Sequence, residues 1–202
     1  MKTNAKQTDR RVIRTKKEIL NALTELLEQK AIEEITVKEI TDLAGINRGT
    51  FYLHYIDKFD LFEKSVNKLL LEFREMGTFI ISKASTKDSG EQKEEIIQKI
   101  TSVFEYVKEN HRFVKAVTSK NSSYSFHHKF NEILKDHLVG LFESIDGSVP
   151  AVYLATALSY AYQGLIQTWI QNDMQESSRE MSEYAYQLFH HFETSMFNGQ
   201  DN

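Results

Sequence analysis

Residues 36–58 read TVKEITDLAGINRGTFYLHYIDK, and the rest of the chain is arranged around them. Thr36 and Glu39 form a T-x-x-E capping box, so a helix is expected to start there. Val37, Ile40 and Leu43 follow on one face at helical spacing. Gly45 stands where that helix must stop, because glycine takes the left-handed conformation without steric cost. Asn47 is a good N-cap for a second helix. Ile46 and Phe51 are spaced as a hydrophobic staple across that cap. Two short helices joined by a tight glycine turn, with a shared apolar seam, make a helix-turn-helix.

With Phe51 turned inward, Arg48, Gly49, Thr50, Tyr52, His54 and Tyr55 are left to the outside. Their guanidinium, hydroxyl, phenol and imidazole groups suit phosphates and base edges. Gly49 permits close approach of a partner to the backbone. A polar surface helix in an ordinary helical domain would carry similar residues. The caps, the turn and the basic arm described below favour a nucleic-acid interface.

The segment AGINRGTFYLHYIDKFDLF resembles the signature of the tetracycline-repressor (TetR/AcrR) family of bacterial transcriptional regulators. The resemblance covers about residues 10–65: glycine turn, R-G-T-F-Y, an aromatic-rich helix end, then D-K at the next helix start. It departs at Lys30-Ala31, where a glycine is common in the family. It implies an amino-terminal three-helix DNA-binding domain over 1–57 and a larger helical effector-binding and dimerisation domain over 58–202. It also implies a homodimer that binds a palindromic operator on double-stranded DNA and is released by a small-molecule effector.

Composition agrees with an all-α fold. The chain has 202 residues, 41% of them hydrophobic, with one proline to interrupt helices. It has no cysteine, which excludes disulfides and thiolate chemistry. No apolar run approaches the length of a membrane span, and the basic amino terminus lacks an apolar signal core. No membrane association is expected, and a cytoplasmic location follows. The net charge of −4 looks wrong for a DNA binder, but its distribution is uneven. Residues 1–17 hold seven Lys/Arg against one acid, Asp9, a local net of +6. Such an arm beside a helix-turn-helix is the electrostatic footprint that matters. Residues 1–8 alone read equally as a disordered solubilising tail.

A first helix is expected over about Asp9–Gln29, with Val12, Ile13, Ile19, Leu20, Leu23, Leu26 and Leu27 as its apolar stripe. Arg14 near its start is in reach of phosphate. Asp57 should cap the next helix, with Ile56 and Leu61 as a second staple. Lys58 then sits at a helix N-terminus, where ammonium and backbone N–H groups suit a phosphate. Thr36, Tyr52, Tyr55 and Lys58 are candidate phosphate clamps. Arg48 and Thr50, on the first turn after Asn47, are candidates for DNA contact, Arg48 at a base edge or a nearby phosphate.

Residues 83–93 read as a loop, and further helices are expected over about 91–109, 111–120, 124–144, 151–171 and 178–197. The last two carry apolar residues on more than one side. Leu158, Leu165, Trp169, Leu188, Phe189 and Phe192 are candidates for a four-helix dimer interface. Ala157, Ala161 and Gly164 add small positions that permit close packing. Phe104, Phe113, Tyr124, Tyr160, Gln163 and Trp169 are candidates for an effector pocket, though most such aromatics in a protein are simple core.

Metal and enzyme chemistry find little support. The pairs His127-His128 and His190-His191 point about 100° apart on a helix and do not converge on one ion. No phosphate loop, nucleophile elbow or H-E-x-x-H is present. No cofactor and no catalysis are expected. The alternative is an all-α carrier or enzyme whose amino-terminal part is structural.

Overall fold

Helices begin and end where the local chemistry writes their caps. The computed structural model describes residues 2–84, 90–118, 125–143 and 149–197, with side chains described over 10–78, 93–118, 126–143 and 149–191. In chain order the described helices are α1 (Lys2–Leu27), α2 (Val37–Leu43), α3 (Arg48–Tyr52), α4 (Lys58–Ala84), α5 (Gly90–Glu109), α6 (His111–Thr118), α7 (Ser125–Glu143), α8 (Ala151–Gln171) and α9 (Ser178–Phe197). A 3₁₀ turn, Ile32–Glu34, joins α1 to α2. No strand occurs among the described residues.

The chain divides into two compact units. The first comprises Met1–Leu69 with Arg112–Ser123, so it takes in the first turns of α4 and most of α6. Its buried residues include Ile19 and Leu23 of α1, Ile32 and Ile35 of the connector, Ile40, Phe51 and Leu61. Arg112 grips Glu28 at the end of α1 through two parallel hydrogen bonds of 3.0 and 2.9 Å. A bidentate guanidinium–carboxylate pair fixes orientation as well as charge.

Two residues of the expected apolar stripes face outward. Ile13 is exposed on α1 and Leu43 is half-exposed on α2. Thr41 is buried in place of Leu43, with its hydroxyl donated back to the Lys38 carbonyl at 3.0 Å. Val37 and Ile40 keep the inward face.

The second unit comprises Leu70–His111 and Tyr124–Asn202. Within it α7 packs along α8, and α5 along α9. Leu138, Leu141 and Phe142 of α7 meet Leu154, Ala155 and Leu158 of α8 in one apolar cluster, which Leu188 and Phe189 of α9 border. Arg179 ties α9 to α5 through Glu94 at 2.6 and 2.9 Å. Pro150 immediately precedes α8 and starts it. At the other end Asp173 and Met174 adopt positive φ of 54° and 51°. That turn lets Met174 N–H donate to the Trp169 carbonyl at 2.9 Å, which satisfies an otherwise orphaned helix-end group. Ser177 and Glu180 then form a capping box for α9.

The expected break at 121–123, Tyr124, and the side chain of Phe192 lie outside the described residues.

Candidate nucleic-acid interface

The α2–α3 turn is built by three local devices. Thr36 Oγ1 accepts from Glu39 N–H at 3.2 Å, and the Glu39 carboxylate accepts from Thr36 N–H at 2.9 Å. Lys30 reaches the same carboxylate at 2.6 Å. Those contacts hold the Glu39 carboxyl down to about 2, the Lys30 hydrogen bond first, then the Thr36 hydroxyl and amide. Gly45 takes φ 64°, the left-handed conformation the turn requires. Asn47 Oδ1 accepts from Thr50 N–H at 2.8 Å and from the Thr50 hydroxyl at 3.1 Å. A Cβ on Gly49 would stand 3.2 Å from that same Asn47 oxygen, so the missing side chain leaves room for the cap.

Phe51 is buried and anchors α3. Its ring meets Tyr52 edge-on at 5.5 Å and Tyr55 at a tilt at 5.6 Å. Arg48, Gly49 and Tyr52 are exposed, while Thr50, His54 and Tyr55 are half-buried. Burial, then the Asp60 charge, pushes the Tyr55 phenol up. Tyr55 therefore stays a neutral hydrogen-bonding group at neutral pH.

Other candidates have prior engagements. The Thr36 hydroxyl donates to the Glu39 carboxylate at 2.8 Å. Arg14 pairs with Glu18 at 2.8 Å, and that bond raises its pKa. Lys58 donates to the backbone carbonyls of Glu33 at 2.5 Å and Ile35 at 2.6 Å. Two of its three N–H groups thus close the connector, and one is left for an anion. Asp57 caps α4 as expected, through Asp60 N–H at 2.8 Å. The second staple is not made: Ile56 is 79% exposed, and its N–H instead donates to Asp60 Oδ2 at 2.9 Å.

Leu53, 80% exposed and not marked by any sequence pattern, joins Ile56, expected to turn inward as a staple, as apolar surface beside α3. Lys64 also joins this region, bonded to Asp60 at 2.8 Å and lying over the Tyr55 ring.

The pocket and interface candidates scatter. Phe104 and Trp169 meet edge-on at 5.4 Å, both buried. Gln163 bonds to His127 at 2.6 Å and to Asn131. Tyr160 is 59% exposed, Phe113 belongs to the first unit, and Tyr124 is outside the described residues. Leu158 is 0% and Trp169 1% exposed within the single chain, so neither has surface to offer a second copy. Both are core: Leu158 packs against α7, and Trp169 donates its indole N–H to the Glu176 carbonyl at 3.1 Å. Leu165, Leu188 and Phe189 are half-buried, and Phe189 lies 6.1 Å from Phe142.

No group of three or more His, Cys, Asp or Glu able to hold a metal ion occurs among the described residues. No described helix is long and apolar enough to cross a membrane.

Comparison with known proteins places both units. Residues 19–64 match the family described as bacterial regulatory proteins, tetR family, and residues 94–191 match a transcriptional regulator C-terminal region of the same family. The HTH-type transcriptional regulator YxbF of Bacillus subtilis is 23% identical over 188 residues, 85% of this chain and 43% of that protein. The chain spans less than half the length of the curated relatives it matches. Among solved structures, a TetR transcriptional regulator from Streptococcus agalactiae superposes with a TM-score of 0.58 at 19% identity, covering 91% of this chain and 98% of that one. NalD, described as the secondary repressor of the MexAB-OprM multidrug efflux pump in Pseudomonas aeruginosa, superposes at 0.61 with 16% identity, covering 95% and 100%. At these identities the structural likeness speaks for the fold.

Proposed function

We propose, for a chain that belongs to the TetR family of bacterial transcriptional regulators, that it binds a palindromic operator as a homodimer, with α3 in the major groove, and represses until a small-molecule effector releases it. The observation that carries this is the outward face of α3. The Asn47 cap and buried Phe51 hold that helix at both ends and leave Arg48, Thr50 and Tyr52 toward solvent. Arg48 reads a base edge or a neighbouring phosphate. Tyr52, Tyr55 and the remaining N–H of Lys58 position the backbone. The exposed methyls of Leu53 and Ile56 suit sugar or thymine methyl contact.

Dimerisation uses α8 and α9, through a face different from the one the apolar pattern marked. Tyr153, Ala157, Tyr160 and Gly164 are exposed at helical spacing along one side of α8, and Tyr184 is exposed on α9. Small residues between tyrosines let two helix backbones approach closely, since interaxial distance follows the side chains at the contact. A palindromic operator requires the two copies of α3 to read half-sites about one turn of DNA apart, about 34–36 Å.

A gel shift with duplex DNA from upstream of the chain's own gene tests the reading. Retardation that weakens with salt supports it. No binding at low salt would favour the carrier or enzyme alternative.

A further inference from the structure

The centre of the outward face of α3 is apolar. At about 100° per residue, Thr50 and Tyr52 lie roughly 100° to either side of buried Phe51, and Arg48 lies only about 60° from it. Gly49 and Leu53 each lie about 160° away, so together they stand opposite the buried side. The backbone pairs them. Leu53 keeps helical dihedrals, φ −69° and ψ −18°, and its N–H donates to the Gly49 carbonyl at 3.2 Å, one turn below. The Leu53 side chain is 80% exposed.

Polar groups flank this pair and do not occupy it. The Thr50 hydroxyl donates to Asn47 Oδ1, and the Tyr52 ring is held edge-on to Phe51. Beyond the neighbours of Gly49, Asn47 Oδ1 is the one side-chain atom among the described residues within 4 Å of where a Cβ would stand. Bare backbone thus lies beside an aliphatic side chain, a shape that lets a methyl-sized apolar group come close to the helix.

In the major groove the base edges present hydrogen-bond donors and acceptors, and the apolar group among them is the thymine C5-methyl. A leucine set against a carbonyl or an amino group strips its water and returns no hydrogen bond. Against a methyl group it buries apolar surface on both partners. Phosphates and sugars line the walls of the groove, whereas the centre of an inserted helix face points at its floor.

We infer, on the reading of α3 as the helix that enters the major groove, that Leu53 is a specificity-determining residue and reads the 5-methyl group of a thymine in each half-site. Gly49 lets that base approach, and Thr50 and Tyr52 bound it on either side.

The test uses the full chain and the tightest-binding duplex selected from a random-sequence pool. That duplex is synthesised in two forms, with thymidine or with deoxyuridine throughout, which differ in the major groove only by the methyl groups. Fluorescence anisotropy should show the uracil form binding about fourfold more weakly per half-site and about fifteenfold for two, the worth of one buried methyl at each. Leu53→Ala, checked for helicity by circular dichroism, should bring the two forms to within about twofold. The exposure of Leu53 means that its truncation leaves the core intact. Equal affinity of the unaltered chain for the two forms, or a preference that survives in Leu53→Ala, would overturn the inference. Either result, with the selected duplex bound, leaves the operator reading standing. A pool from which no duplex is enriched removes that reading, and the role of Leu53 with it.

Discussion

Replacing Gly164 by leucine separates the dimer from the monomer more cleanly than any apolar substitution. A Cβ built on Gly164 meets nothing within 4 Å in the single chain, and the residue is exposed on α8. Leucine is also the better helix former, so the isolated chain should gain roughly 0.5–1 kcal/mol. In a dimer that apposes this face the extra side chain is inserted twice, once from each copy. Overpacking costs about 1–3 kcal/mol per insertion, so the dimer loses about 2–6 kcal/mol. That corresponds to weakening by about 30-fold to 10⁴-fold. Sedimentation velocity should show a shift to monomer, with an unchanged helical spectrum and an equal or higher melting point. Operator affinity, read by fluorescence anisotropy, should fall with it, because joining two half-sites is worth up to about 10²–10⁴ in avidity. A Gly164→Leu chain that stays dimeric would refute this placement of the interface. A folded monomer with full operator affinity would refute the need for a dimer. Phe189→Asp is a poorer test, since Phe189 lies against Phe142 in the chain's own core.

Arg48→Ala should cost about 1–3 kcal/mol of specific binding if Arg48 reads a base, and competition assays with altered half-sites should show relaxed preference at one position. Asn47→Ala removes the cap on Thr50 and should lower the stability of the first unit by about 1 kcal/mol in urea unfolding. Lys58→Met frees the Glu33 and Ile35 carbonyls, so it should lower stability by about 1–2 kcal/mol. If its third N–H serves a phosphate, the salt slope of DNA binding should also fall by about one unit for every sequence. His137 is pushed below its ordinary value by burial, then by Arg74. The unfolded chain therefore binds that proton more readily. The His137 contribution is present above pH 6.5, the ordinary value, and is lost as pH falls through the depressed folded one. Urea midpoints should drop less on acidification in His137→Gln than in the unaltered chain.

The helix-turn-helix was legible because its determinants are local. Thr36 with Glu39, Gly45 and Asn47 each act within four residues, and sequence spacing reports such contacts directly. α8 and α9 were bounded correctly for the same reason, with Pro150 before the one and a capping serine before the other. Which side of α8 and α9 the single chain leaves uncovered was not legible. Both helices are apolar on more than one side, and a 3.6-residue pattern cannot say which side the chain itself covers. Leu158 and Trp169 are large and apolar because they fill the core, whereas the free side of α8 is marked by tyrosines and small residues. Lys58 was read as an anion ligand from its place at a helix start, but its partners lie 25 and 23 residues away. The Asn131–Gln163–His127 relay likewise joins α7 to α8 through tertiary packing.

Whether α3 reads duplex DNA is decided by hydroxyl-radical footprinting of the full chain on its own upstream region, beside Arg48→Ala at equal concentration. Two protected patches are expected, related by a two-fold axis and separated by about one helical turn, about 34–36 Å, both weakened in the variant. Uniform or absent protection at low salt, or a footprint that Arg48→Ala leaves unchanged, would contradict it.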